Sequence, residues 1–165
     1  MTKAEINAII VHRSKENGID PDLLRAICTI ESSLEPLAMR FEPNYRWLWF
    51  PRETASRMTK QIPGYSADTE MALQRFSYGL PQIMGAVCRE LGYDGPLQLL
   101  PLEPVIVLDL ACKHLKKFME KYPSEPDWIS AWNQGNAGKT PGGLYKNQSY
   151  VDKVCLELRK LRALI

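Results

Sequence analysis

Between Asp20 and Pro36 the chain reads DPDLLRAICTIESSLEP, with Leu23, Leu24, Ile27, Ile30 and Leu34 at the spacing of one buried helical stripe. Asp20 can cap the free amides at the start of this helix, and the fixed φ of Pro21 suits its first turn. The stripe belongs against a core, yet one residue breaks it. At about 100° per residue, Glu31 projects between Leu24 and Ile27, inside the apolar arc. A carboxylate placed there loses hydration, which favours its neutral form and raises its pKa, and that makes a general acid near neutral pH. The plainer reading is a glutamate at the edge of the stripe, reaching water or an arginine.

The rest of the chain is also read as helical. Glu5–Glu16 carries Ile6, Ile9 and Ile10 at helical spacing and stops at Asn17-Gly18, where a left-handed cap costs little. From Pro36 to Pro63 four prolines and the aromatics Phe41, Tyr45, Trp47, Trp49 and Phe50 follow neither period, which predicts a long structured loop with a short helix after Pro51. Further helices are predicted from Ser66 through Phe76, from Pro81 to Leu91, over Leu102–Tyr122, over Trp128–Asn133 and from Tyr150 to Leu164. Almost nothing alternates as a strand does. The fold class expected is mainly α, as one domain spanning residues 1–165. At 165 residues that chain can bury about two-thirds of its unfolded surface.

Composition removes several functions. Cys28, Cys88, Cys112 and Cys155 are far apart and lack any metal-ligand spacing, so reduced thiols are expected, with no metal and no cofactor. No basic segment leads into an apolar run at MTKAEINAII, so no export signal is expected and cytoplasmic synthesis is. The longest apolar stretch, Val105–Cys112, is interrupted by Asp109 and too short to span a bilayer, so no membrane insertion is expected. A net charge of +2 suits an anionic polymer or merely a solvated surface. Lys113, Lys116, Lys117 and Lys121 form one basic helix face, which a solvated face explains better than nucleic acid does.

Three other stretches give Glu31 company. SYGLPQI (77–83) sets a glycine before a predicted helix start, where backbone can approach a ligand. AWNQGNAG (131–138) ends a helix with an amide side chain and a small-residue turn, and YVDKV (150–154) opens the last helix with a phenol. Each stretch alone is weak.

In this order, ES, SxGLxQI, AxNxG and YVxKV resemble the catalytic domain of the soluble lytic transglycosylases, lysozyme-like enzymes that cleave peptidoglycan. The resemblance runs from about Asp20 to Val154. It implies a goose-type, lysozyme-like helical domain with a cleft, acting as a monomer on glycan strands. It implies Glu31 as the sole catalytic acid and base, with Ser32 beside it. It implies substrate contacts from Ser32, Ser77, Gly79, Leu80, Gln82, Trp132, Asn133 and Tyr150, the last with a hydrogen bond near the glutamate. Two positions depart from the pattern: Pro81 replaces the usual methionine and Trp132 the usual tyrosine, which removes a hydroxyl from the cleft. The segment between Glu31 and Gly79 is longer than is common in the family, and its aromatics either stack on sugars or cover the core.

The implied chemistry is proton donation by Glu31 to the oxygen between N-acetylmuramic acid and N-acetylglucosamine, then closure of a 1,6-anhydro ring by the muramic acid C6 hydroxyl. A hydrolase would need a second carboxylate, for which Glu35, Glu42, Glu53, Asp68 and Glu70 are the candidates. A hydrolytic muramidase and a silent glycan-binding or virion module are the alternatives. Acting on the wall without an export signal would suit a bacteriophage product, an endolysin or a virion enzyme.

Overall fold

The computed structural model describes residues 1–163. Helix α1 (Lys3–Glu16) opens with a reciprocal cap, in which Glu5 N donates to Thr2 Oγ1 and Thr2 N donates to the Glu5 carboxylate. Helix α2 (Pro21–Ser32) starts as its sequence demands: the Asp20 carboxylate accepts from Asp22 N at 2.9 Å and Pro21 fills the first turn. Leu23, Leu24, Ala26, Ile27 and Cys28 of this helix are buried, whereas Ile30, Glu31 and Leu34 are only half-buried. The stripe therefore leaves the core at its C-terminal end, and Glu31 sits where it emerges.

Helix α2 packs against α1 and against the last helix, and the long helix from Pro104 to Lys121 lies against α1. One core cluster joins these elements, with Ile10, Leu24, Ile27, Leu108, Leu115, Ile129 and Val154 fully enclosed. A smaller cluster, Ala55, Met58 and Tyr65, sits under α3 (Pro51–Met58) and α4 (Ala67–Gln74).

Between Met39 and Met84 the chain differs from the sequence expectation. The segment after α2 contains β1 (Met39–Phe41), which pairs antiparallel with β2 (Phe76–Tyr78), and β2 pairs with β3 (Ile83–Met84). Ser66 does cap α4, accepting from Thr69 N, but the helix stops at Gln74 and Phe76 belongs to β2. Pro81 does not open a helix. Residues 79–82 form the turn between β2 and β3, closed by Gln82 N donating to Gly79 O at 3.1 Å, and α5 begins only at Gly85 and ends at Glu90. Strands of two and three residues carry too little sequence for a period of two to register. Gly85 is needed where the chain leaves β3, because a Cβ there would lie 2.6 Å from Leu73 O.

After a 3₁₀ turn (Leu97–Leu102) come α6 (Pro104–Lys121), α7 (Glu125–Gln134) and α8 (Gln148–Arg162). These agree with the sequence expectation to within a few residues, apart from Leu164, which lies outside the described residues. No helix among the described residues is long and apolar enough to cross a membrane. The mainly helical, lysozyme-like architecture is the one expected.

Candidate active site

Glu31 occupies the last turn of α2, one residue before its C-terminal end. The partial negative charge of the helix end and the loss of water both oppose a carboxylate there. Burial pushes the Glu31 carboxyl above its ordinary pKa; the Tyr150 hydroxyl and the positive charge of Arg40 pull it partly back. Tyr150, in the first turn of α8, donates its hydroxyl proton to Glu31 Oε1 at 2.6 Å across 119 residues of sequence. Its own pKa is driven strongly upward by burial and by that carboxylate, so it stays a donor.

Glu31 lies in a cleft of about 920 Å³, the upper part of the range for ligand sites. The β-sheet region supplies Arg40, Ser77, Gln82 and Met84, the following loop Glu42, Tyr45 and Trp47, α6 supplies His114, Lys117 and Lys121, and the end of α7 supplies Trp132 and Asn133. Of the residues picked from sequence, Glu31, Ser77, Gln82, Trp132 and Asn133 thus share one cleft, and Tyr150 reaches it through its hydroxyl.

The other three picked residues are structural. Gly79 is buried at φ +65°, and a Cβ there would approach Val107 Cγ1 to 3.1 Å and Pro36 O to 3.5 Å. It serves a tight turn against α6 and offers no open backbone to a ligand. Leu80 is 1% exposed and belongs to the core. The Ser32 hydroxyl donates to Leu80 O at 2.7 Å, tying the end of α2 to this turn. Ser32, Gly79 and Leu80, expected from the sequence as substrate contacts, do not line this cleft; they hold the turn on which Gln82 sits.

Gln82 has a left-handed backbone, φ +51°, unusual for a residue with a side chain. Its side chain explains the geometry: Nε2 donates to Gly79 O at 2.8 Å and Ala38 O at 3.1 Å, and Oε1 accepts from Ser77 Oγ at 2.8 Å. Every polar atom of this amide is engaged inside the protein, so it fastens the β1 end of the cleft floor.

Three residues that line the cleft or hold its lining carried no sequence signal. Asn147 precedes α8, and its side chain turns away from the helix to donate to Asn133 Oδ1 at 3.0 Å and to Ser130 O, while accepting from Ser130 Oγ, which fixes the Asn133 amide. Arg40 forms an ion pair with Glu42 at 2.6 Å. His114 stacks edge-on with Phe118 and Trp132 at 4.6 and 5.5 Å, and its Nδ1 is buried without a partner. Burial, with Lys117 adding to it, pushes the imidazole down to about 4, so it is neutral at pH 7.

The candidates for a second carboxylate separate cleanly. Glu70 is fully buried in a network with Arg89, Tyr65 and Gln74, outside the cleft. Glu35, Glu53 and Asp68 are exposed and do not line the cleft. Of these five only Glu42 does, and it forms an ion pair with Arg40.

The transglycosylase SLT domain model matches residues 8–148. The chain belongs to the SLT transglycosylase family. As a member it is a peptidoglycan lytic transglycosylase, which makes the cell wall its substrate. The match ends two residues before Tyr150, so the place of that tyrosine in the transglycosylase site rests on its bond to Glu31. Neither the comparison with curated proteins nor that with solved structures gives a match.

Proposed function

We propose that this transglycosylase cleaves the β-1,4 bond between N-acetylmuramic acid and N-acetylglucosamine, with Glu31 as the only proton-transferring group. The observation that carries the reading is a desolvated carboxyl at a helix C-terminal end, facing a cleft and hydrogen-bonded by a buried phenol. Glu31, protonated, gives its proton to the glycosidic oxygen as the bond to C1 of the muramic acid breaks. The carboxylate left behind is what the Tyr150 hydroxyl stabilises, so this bond is stronger late in the step than before it. Glu31 then takes the proton of the C6 hydroxyl while O6 bonds to C1, closing the 1,6-anhydro ring. The carboxyl returns to its starting state and no water is consumed.

Trp132 and Asn133 face the cleft and hold the sugar rather than move its protons, while Gln82 and Ser77 fasten the floor beneath it. The test is borohydride reduction of the released fragments followed by mass analysis. Anhydro ends have no aldehyde and stay unreduced; hydrolysed ends gain two hydrogens. A hydrolytic second reading would rest on Glu42 or Glu90, which share the cleft but are paired with Arg40 and Lys117.

We infer a bacteriophage setting, as endolysin or virion lysin, in which the enzyme acts as a monomer. Free thiols at Cys28, Cys88 and Cys112, all buried, suit synthesis in a reducing cytoplasm. Expressed alone in a bacterium, the protein should leave cells intact until the inner membrane is permeabilised. Lysis without permeabilisation would contradict this setting.

A further inference from the structure

The segment PNYRWLWF (43–50) places four aromatic rings in eight residues, outside the stretches that carry the family resemblance. Trp47 is 77% exposed, an unusual cost for an indole in a loop. The rings form two edge-on pairs, Tyr45 with Trp47 at 5.6 Å between centroids and Trp49 with Phe50 at 5.0 Å. Only the first pair lines the cleft that holds Glu31.

The loop is not left to wander. Trp49 N donates to Gln74 Oε1 at 2.6 Å, and Gln74 Nε2 donates back to Trp49 O at 2.9 Å, so one buried amide clamps both backbone groups of a loop residue. Gln74 Nε2 is anchored in turn to Glu70 Oε1 at 2.8 Å, and Arg89 holds Glu70 through two bonds of 2.8 and 3.1 Å. Nearer the cleft, Arg75 Nε donates to Tyr45 O at 3.3 Å and Glu42 N donates to Arg75 O at 2.9 Å. A fully buried ion-pair network therefore holds in place a loop whose most prominent feature is an exposed ring. Such rigidity spares the ordering entropy that a flexible loop would lose on binding.

We propose that Tyr45 and Trp47 form a saccharide subsite of this cleft, in which the indole face of Trp47 carries the apolar face of an N-acetylhexosamine ring of the glycan strand. The inference rests on the glycan-cleaving reading above. A sugar ring suits the place because one face of it is lined by C–H groups while its edge is polar. The wall matches both, with aromatic faces beside the side chains of Asn44, Arg40 and Glu42. Neither a covered core nor an apolar partner accounts for this combination: Trp47 covers little, and charged groups flank it. Gln74 acts through the loop and is a positioning residue.

The test is calorimetric titration of an N-acetylglucosamine hexamer into the Glu31→Gln protein, which separates binding from cleavage. Trp47→Ala on that background should weaken binding about tenfold, the scale of one lost aromatic contact. Trp47→Tyr should restore most of it. Gln74→Met, with Trp47 intact, should weaken binding in the same direction. With Glu31 present, Trp47→Ala should raise KM for peptidoglycan fragments, leave kcat near the parent value and release the same end groups. Equal affinity of Trp47→Ala and its parent, or a parent that cleaves peptidoglycan yet does not bind the hexamer, overturns the subsite and leaves the cleavage reading standing. Products that change from anhydro to reducing ends would instead overturn the cleavage reading.

Discussion

Replacing Tyr150 with phenylalanine removes one oxygen atom and one hydrogen bond, the 2.6 Å contact to Glu31. The ring packs against the main core and phenylalanine keeps that packing, so the melting temperature should barely move. The lost bond matters most when Glu31 is ionised, after it has given up its proton. Hydrogen bonds to charged groups are worth about 1.5 to 3 kcal/mol, which at 1.36 kcal/mol per decade is a fall in kcat of about 10- to 150-fold. KM should change little, because the ground state holds a neutral carboxyl. The bond also favours the ionised form, so losing it raises the Glu31 pKa further and moves the alkaline limb of the pH–rate profile to higher pH. The assay is initial-rate release of soluble fragments across a pH series. A kcat within threefold of the parent with an unmoved limb refutes the reasoning, as does a loss equal to that of Glu31→Gln.

Glu31→Gln should abolish turnover while keeping the fold. The folded-state pKa of Glu31 lies above its unfolded value, so its contribution to stability is best below about pH 4.5 and is lost as pH rises through the folded pKa. The glutamine variant should therefore gain on the parent in thermal melts as pH climbs from 4.5 to neutrality. Glu42→Gln should keep kcat within a few-fold, and a hundredfold loss would favour a hydrolase. Arg89→Met strands the carboxylate of Glu70, 0% exposed, and should cost about 3 to 5 kcal/mol in urea unfolding; a cost below about 1 kcal/mol would mean that Glu70 protonates or finds water.

How far the sequence speaks depends on the distance over which each feature is built. The α2 stripe, its Asp20 cap and the intrusion of Glu31 are local, and they locate the end of the helix where the cleft begins. The Ser66 cap is also local, but the end of α4 is set by β2 pairing with β1 at Phe41–Phe76, 35 residues apart in sequence. The turn at 79–82 misleads for the same reason: Pro81 looks like a helix start until Gln82 bonds back to Gly79 and Ala38. Gly79 and Leu80 look like open backbone because their burial comes from Val107 and the core, which only the fold brings near. Asn147, fixing Asn133 across the gap between α7 and α8, is an ordinary polar residue in sequence. Glu70 looks like any surface glutamate at the start of a helix, because Arg89 lies 19 residues away.

The central claim is that Glu31 works without a water nucleophile, and digestion of purified peptidoglycan in ¹⁸O-labelled water tests it directly. Mass analysis of the fragments should find muramic acid ends lighter by one water than hydrolysed ends and free of ¹⁸O, with no products at all from Glu31→Gln. Reducing ends that carry one ¹⁸O would show that water attacks C1, and would contradict the account.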